Sequence, residues 1–240
     1  MDTQALTTKK EMPTNRVMQK LKGSKSGPTV LFFAGVHGNE PAGVMALKEV
    51  FEDLSKKENT LRGTVYGLIG NQKALAKGKR YVDMDLNRLW TKANIKMVSN
   101  KKVLLEEEKE LLELLDLLRE IIKNEKGPFY FIDYHTTSSK TLPFITINDS
   151  MINRKFARQF PVPIVLGIEE FLDGPLLSYI NQLGYVAVGF ESGQHTDPQS
   201  QQREQQQLQR RPSPLSLANQ EHAAQSGPAG NGAHAGGTDS

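Results

Sequence analysis

Three short clusters carry the side chains with the chemistry to bind a metal or move a proton: His37 with Glu40, Asp133 with His135, and Glu191. His37 and Glu40 sit three apart in Gly35-Val36-His37-Gly38-Asn39-Glu40, offering an imidazole nitrogen and a carboxylate oxygen to a divalent cation. With His135 they make a set of two His and one Glu, which leaves a fourth zinc position open for water. That is the pattern of a hydrolytic rather than a structural site. Zinc there makes a nucleophilic water available near neutral pH. Glu191 has no ligand role in this set and is free to act as a general base.

Taken singly, each cluster has an ordinary reading. A His-x-x-Glu in a loop is a polar turn, Asp133 and His135 are a half-buried strand pair, and a Glu before Ser-Gly is turn chemistry. The three together read differently because each stands where an apolar run ends.

Those runs are the elements that must position the clusters. Residues 29–34, Thr-Val-Leu-Phe-Phe-Ala, show no polar alternation, as expected of a strand covered on both faces. Asn39 is placed to cap a helix that starts at Pro41 and runs to about Leu54. Residues 129–132 form a second buried strand leading into Asp133-Tyr134-His135-Thr136-Thr137, and residues 185–190 a last one opening onto Glu191-Ser192-Gly193. Between them the pattern predicts strands over 16–21, 62–69, 142–147 and 163–167. It predicts helices over 71–76, 102–124, 150–159 and 175–183. In the long helix the Leu and Ile residues recur at three and four, and Glu107, Glu110, Glu113 and Lys123 are expected to face away from the core. It reads as a helix packed on a sheet rather than a coiled coil. The fold class expected is α/β: a doubly wound, mostly parallel mixed sheet flanked by helices. In such a sheet, groups beyond the carboxyl ends of neighbouring strands converge on one crevice.

Residues 79–88, Lys-Arg-Tyr-Val-Asp-Met-Asp-Leu-Asn-Arg, fit neither helix nor strand and read as a functional loop. Arg80, Asn87 and Arg88 could enter the crevice, where guanidinium groups suit carboxylates and oxyanions. Asp85 could orient a ligand His. His195, His222 and His234 are expected to be solvent-exposed.

Composition bounds the rest. The 240 residues hold no Cys, so any metal must be held by His and carboxylates. A net charge of +3, with no basic stripe interleaved with aromatics, argues against a nucleic-acid partner. No apolar run approaches the ~20 residues of a membrane span, and Met1-Asp2-Thr3-Gln4 lacks the apolar core of a signal peptide. A cytoplasmic location is therefore expected, and a homo-oligomer is left open. Three segments are expected: a flexible N-terminus over 1–15, a catalytic domain over 16–198, and a low-complexity, disordered tail over 199–240. The tail is rich in Gln, then Gly and Ala, and cannot bury enough surface to offset ordering.

The motifs His37-Gly38-Asn39-Glu40, Arg80 to Arg88, Asp133 to Thr137 and Glu191-Ser192-Gly193, in this order, resemble the succinylglutamate desuccinylase/aspartoacylase family of the zinc carboxypeptidase-like superfamily. The resemblance covers roughly residues 15–198. It implies one zinc per chain on His37, Glu40 and His135, with Glu191 as base and Arg80 polarising the scissile carbonyl. It also implies Asn87 and Arg88 on a substrate carboxylate, with Asp85 supporting His37. The implied activity is hydrolysis of the amide of a small N-acyl amino acid, a step of amino-acid metabolism. The family pattern continues past the Glu-x-Gly strand into a β-rich domain that helps wall the pocket. Here the Gln-rich and Gly-Ala stretch stands in its place. Two other readings follow from these features: a catalytically weak remnant that binds zinc or a carboxylate, and a metallocarboxypeptidase acting on peptides.

Overall fold

The computed structural model describes residues 15–56, 60–168, 171–195, 199 and 202–203. Apart from residue 15, the expected loose N-terminus lies outside them. So does the expected tail apart from 199, 202 and 203, and with it His222 and His234.

Seven strands form one mixed sheet: β1 (Val17–Lys22), β2 (Lys25–Ala34), β3 (Arg62–Ile69), β4 (Phe129–Thr137), β5 (Phe144–Ile147), β6 (Ile164–Leu166) and β7 (Val186–Gln194). Their order is β1-β3-β2-β4-β7-β5-β6. The central run β3-β2-β4-β7 is parallel, and β6 is parallel to β5. β1 pairs antiparallel with β3, and β5 antiparallel with β7.

Among the described residues, six α-helices flank the sheet: α1 (Pro41–Ser55), α2 (Gln72–Lys77), α3 (Lys92–Ser99), α4 (Glu106–Asn124), α5 (Met151–Ala157) and α6 (Leu176–Gln182). Alternate residues of β2 explain its unbroken apolar run. Val30, Phe32 and Ala34 join a core with Val44, Leu47 and Phe51 of α1 and Phe156 of α5. Leu31 and Phe33 join a second core with Val98 of α3, Leu111, Leu114 and Leu118 of α4, and Ile180 of α6. Each such side chain contributes about 1.5–3 kcal/mol of burial, so a strand buried on both faces is held by both layers at once.

Three expectations need correction. α4 starts at Glu106 rather than 102, and its Glu107 and Glu110 are buried instead of facing solvent. The helix Lys92–Ser99 was not legible, since only Ile95 and Val98 of its eight residues are buried. Asn39 does not cap α1: the capping position is Glu40 without a side-chain bond, and the Asn39 Oδ1 is buried with no partner among the described residues.

Candidate metal centre

The parallel order β2-β4-β7 places the three clusters side by side: His37 and Glu40 follow the carboxyl end of β2, while Asp133 and His135 lie in the carboxyl-terminal half of β4 and Glu191 in that of β7, where His135 and Glu191 are register partners. Beyond β2 the chain turns at Gly35, whose φ of +68° an L side chain rarely adopts. The carbonyls of Ala34 and Gly35 accept from Gly70 and Asn71 at 2.9 and 2.7 Å, tying the turn to the end of β3. Gly38 then passes so close to α2 that a Cβ would lie 2.1 Å from the Ala74 carbonyl carbon. Between these two glycines His37 is aimed inward, and Glu40 enters the site at the start of α1.

One nitrogen of each imidazole meets the Glu40 carboxylate: His37 Nδ1 lies 2.9 Å from Oε1 and His135 Nδ1 lies 3.1 Å from Oε2. The other nitrogens each meet an acid, His37 Nε2 with Asp85 Oδ1 at 3.1 Å and His135 Nε2 with Asp133 Oδ2 at 2.8 Å. An acid behind each ring fixes its orientation and leaves the front nitrogen for a cation. The Thr136 N–H also donates to Glu40 Oε2 at 2.9 Å, locking the carboxylate to β4. All three residues are buried, and one donor atom from each lies within 4.8 Å of the others. This set fits a small divalent cation with His and carboxylate ligands, such as zinc.

The local electrostatics favour a cation too. Burial alone would raise the Glu40 carboxyl, yet hydrogen bonds from His135 and His37 and their charge hold it well below the usual carboxylate range. Burial opposes charge on His135 as well. The Asp133 carboxylate, by charge and hydrogen bond, and then Glu40 outweigh it and lift the imidazole well above its ordinary value. Glu191 is the exception. Burial dominates there and pushes its carboxyl up to about 7, and its Oε2 is a buried oxygen without a partner among the described residues. An acid poised near neutral, unpaired beside a candidate metal set, has the properties of a proton-transfer group.

The loop of residues 80–88 reaches the same place. Asp85 joins it to the centre: Oδ1 takes His37 Nε2 and also the Asn87 N–H at 2.9 Å, while Oδ2 accepts from Arg80 Nη2 at 2.9 Å. Burial would raise the Asp85 carboxyl, but His37 and Arg80 hold it low. The Asn87 Oδ1 accepts from the Leu176 N–H at 2.9 Å, so its amide N–H groups face away from α6 and are available to a ligand. The loop itself is held by Glu107. Its buried carboxylate accepts from Val82 N at 2.6 Å, Asp83 N at 2.9 Å, Met84 N at 3.2 Å and Asn71 Nδ2 at 3.0 Å.

A cavity of ≈ 280 Å³, sized for a small molecule, is lined by His37, Glu40, His135, Glu191, Arg80, Asn87 and Arg88. All seven residues selected from the sequence for direct roles therefore meet in one cleft, and Asp85 bonds three of them, His37, Asn87 and Arg80. The same cleft includes His195, which was expected in solvent. It is half-buried, and its Nδ1 lies 2.6 Å from Thr136 Oγ1. The signal for it was the alternation Glu191, Gly193, His195, which continues β7 past the expected end at residue 190. Asp133 and Glu107 had no role assigned from the sequence. Asp133 was at least visible as a neighbour of His135, whereas nothing local marks Glu107.

Residues 26–212 match the profile of the succinylglutamate desuccinylase/aspartoacylase catalytic domain. A probable aspartoacylase of Prochlorococcus marinus is 36% identical over 118 residues, 48% of this chain and 35% of that protein. A succinylglutamate desuccinylase of Pseudomonas fluorescens is 37% identical over 65 residues, 27% of this chain and 19% of that one. Among solved structures, the succinylglutamate desuccinylase from Chromobacterium violaceum superposes with a TM-score of 0.60 at 20% identity, covering 74% of this chain and 57% of that chain. The chain thus spans less than two thirds of the length of these proteins, and the structural likeness speaks to the fold.

Proposed function

We propose that this chain, which belongs to the succinylglutamate desuccinylase/aspartoacylase family, is a zinc-dependent hydrolase that cleaves the amide bond of a small N-acyl amino acid. The single observation that carries the reading is the meeting of the His37, Glu40 and His135 donors in one cleft with the half-buried Glu191, whose Oε2 is buried and has no hydrogen-bond partner among the described residues. Family membership narrows the bond to the amide of an acyl amino acid.

Zinc held by the three ligands would act as a Lewis acid and lower the pKa of a coordinated water toward ~7. The remaining work belongs to the chain. Glu191 takes the proton of the attacking water on its free Oε2 and returns it to the leaving amine. Arg80, held by Asp85 and standing 3.9 Å from Glu40 Oε1, turns its guanidinium to the oxygen that gains charge in the transition state. Asn87 and Arg88 hold the substrate carboxylate, Asn87 through the amide N–H groups that its bond from Leu176 leaves free. Asp85 and Asp133 keep His37 and His135 turned toward the cation.

The test is hydrolysis of N-acetylaspartate, N-succinylglutamate and N-acetylalanine by the zinc-loaded chain, before and after chelation. Turnover that disappears with the metal and returns with zinc is expected. Binding of these amides without turnover at any zinc concentration would contradict the reading.

A further inference from the structure

His195 is the titratable group of the cleft to which the mechanism gives no task. It is anchored twice to the end of β4, next to the ligand His135. Its backbone N–H donates to the Thr137 carbonyl at 2.9 Å, and its ring Nδ1 meets Thr136 Oγ1 at 2.6 Å. Thr136 is itself fixed through its N–H to Glu40 Oε2. The half-buried ring is therefore held in place, and its Nε2 has no partner among the described residues.

The two walls of the cleft differ in charge. The loop side supplies Arg80, Asn87 and Arg88, enough to hold one carboxylate and an oxyanion. The side built from the ends of β4, β5 and β7 supplies Thr136, Thr137, Ser138, Phe144 and Thr146, together with the His195 imidazole. An anionic group of the substrate on that side meets neutral hydroxyls and this imidazole, whose Nε2 has no other partner among the described residues. The Thr136 hydroxyl can donate to Nδ1, and in that tautomer the ring proton sits on Nε2, where it can be given to an anion.

We propose that His195 is a specificity residue that donates Nε2–H to a second carboxylate of the substrate, so that the cleft prefers N-acyl amino acids carrying two carboxylates over those carrying one. The inference rests on the deacylase reading and names its substrate class. Thr136 acts as the positioning residue that sets the ring.

The experiment compares N-acetylaspartate with N-acetylalanine on the zinc-loaded chain and its His195→Ala, His195→Gln and Thr136→Val variants. A hydrogen bond to a charged group is worth about tenfold or more in binding. His195→Ala should therefore raise KM for N-acetylaspartate by about tenfold, with the loss on KM rather than kcat, and should move KM for N-acetylalanine by less than about twofold. His195→Gln, which keeps an N–H donor, should recover much of the difference, and Thr136→Val should fall between. Equal effects on both amides, or none, would overturn the proposal. If the wild-type chain hydrolyses neither amide, calorimetric titration of the same two compounds decides. A wild-type preference for N-acetylaspartate that His195→Ala abolishes supports His195 and leaves only the catalytic reading to fall. Equal affinities in the wild type overturn both.

Discussion

Removing the Glu107 carboxylate should loosen the substrate side of the cleft from a distance. The group is fully buried, with no cation among its hydrogen-bond partners, and accepts from three consecutive backbone N–H groups of the loop and from Asn71 Nδ2. Glu107→Ala strands four donors, each costing about 1–3 kcal/mol if it stays dry. The loop can relax and admit water, so the net loss should be nearer 3–5 kcal/mol than the full sum. Glu107→Gln replaces one acceptor oxygen with an N–H₂ facing two backbone N–H groups, and should lose about 2–3 kcal/mol. Urea unfolding followed by circular dichroism reads both values.

Acid should separate this contribution from simple packing. Burial would raise the Glu107 carboxyl, but the bonds from Val82, Asn71, Asp83 and Met84 hold it below the usual range. The folded chain then binds fewer protons than the unfolded one as pH falls through the carboxylate range. The stability Glu107 provides is present above the ordinary Glu value and is lost below it. Wild type should lose stability between about pH 5 and pH 3 more steeply than Glu107→Ala. In turnover, KM for an acyl amino acid should rise while zinc content stays at the wild-type level. A loss below about 1 kcal/mol together with an unchanged KM would refute the role given to Glu107.

Three further outcomes are expected. Glu191→Gln should keep zinc and lose about 10²–10⁴-fold in kcat, measured by amine release. In the chelated chain the same change should stabilise the protein at pH 8. The raised carboxyl of Glu191 is tolerated while neutral, and its cost builds as pH rises from the ordinary Glu range to about 7, so a denaturation series from pH 5 to 8 should show the variant gaining on the wild type up to about pH 7 and keeping that gap above it. Asp85→Asn should weaken zinc affinity by about 10–100-fold in a chelator competition, since it disturbs the bond behind His37 and the hold on Arg80 together. Gly38→Ala should cost several kcal/mol and lower metal content, because its Cβ would strike the Ala74 backbone and push out the turn that carries His37.

Much of this molecule is legible in its sequence for a definite reason. β2, β4 and β7 lie between two helical layers, so their apolar runs are unbroken and the polar residues ending them stand out. Metal-binding capacity is a property of residue type, so His37, Glu40 and His135 could be picked out before any geometry was known. What stayed hidden depends on contacts between distant parts of the chain. A glutamate on an amphipathic helix reads as solvent-facing, and only the docking of residues 82–84 turns Glu107 inward. The same holds for Glu110, which meets Arg16 from the start of the described chain. The antiparallel setting of β5 against β7 is a pairing choice that no local period encodes. His195 lay one residue past a strand whose length was underestimated.

Metal stoichiometry is the most direct test of the centre on which everything else depends. The purified chain, loaded with zinc and passed through a desalting column, should carry about one zinc by elemental analysis. His37→Ala, Glu40→Ala and His135→Ala should each carry less than about a tenth of that while keeping their circular dichroism. Full zinc retention by a folded His135→Ala chain would contradict the centre described here, and the proposed catalysis with it.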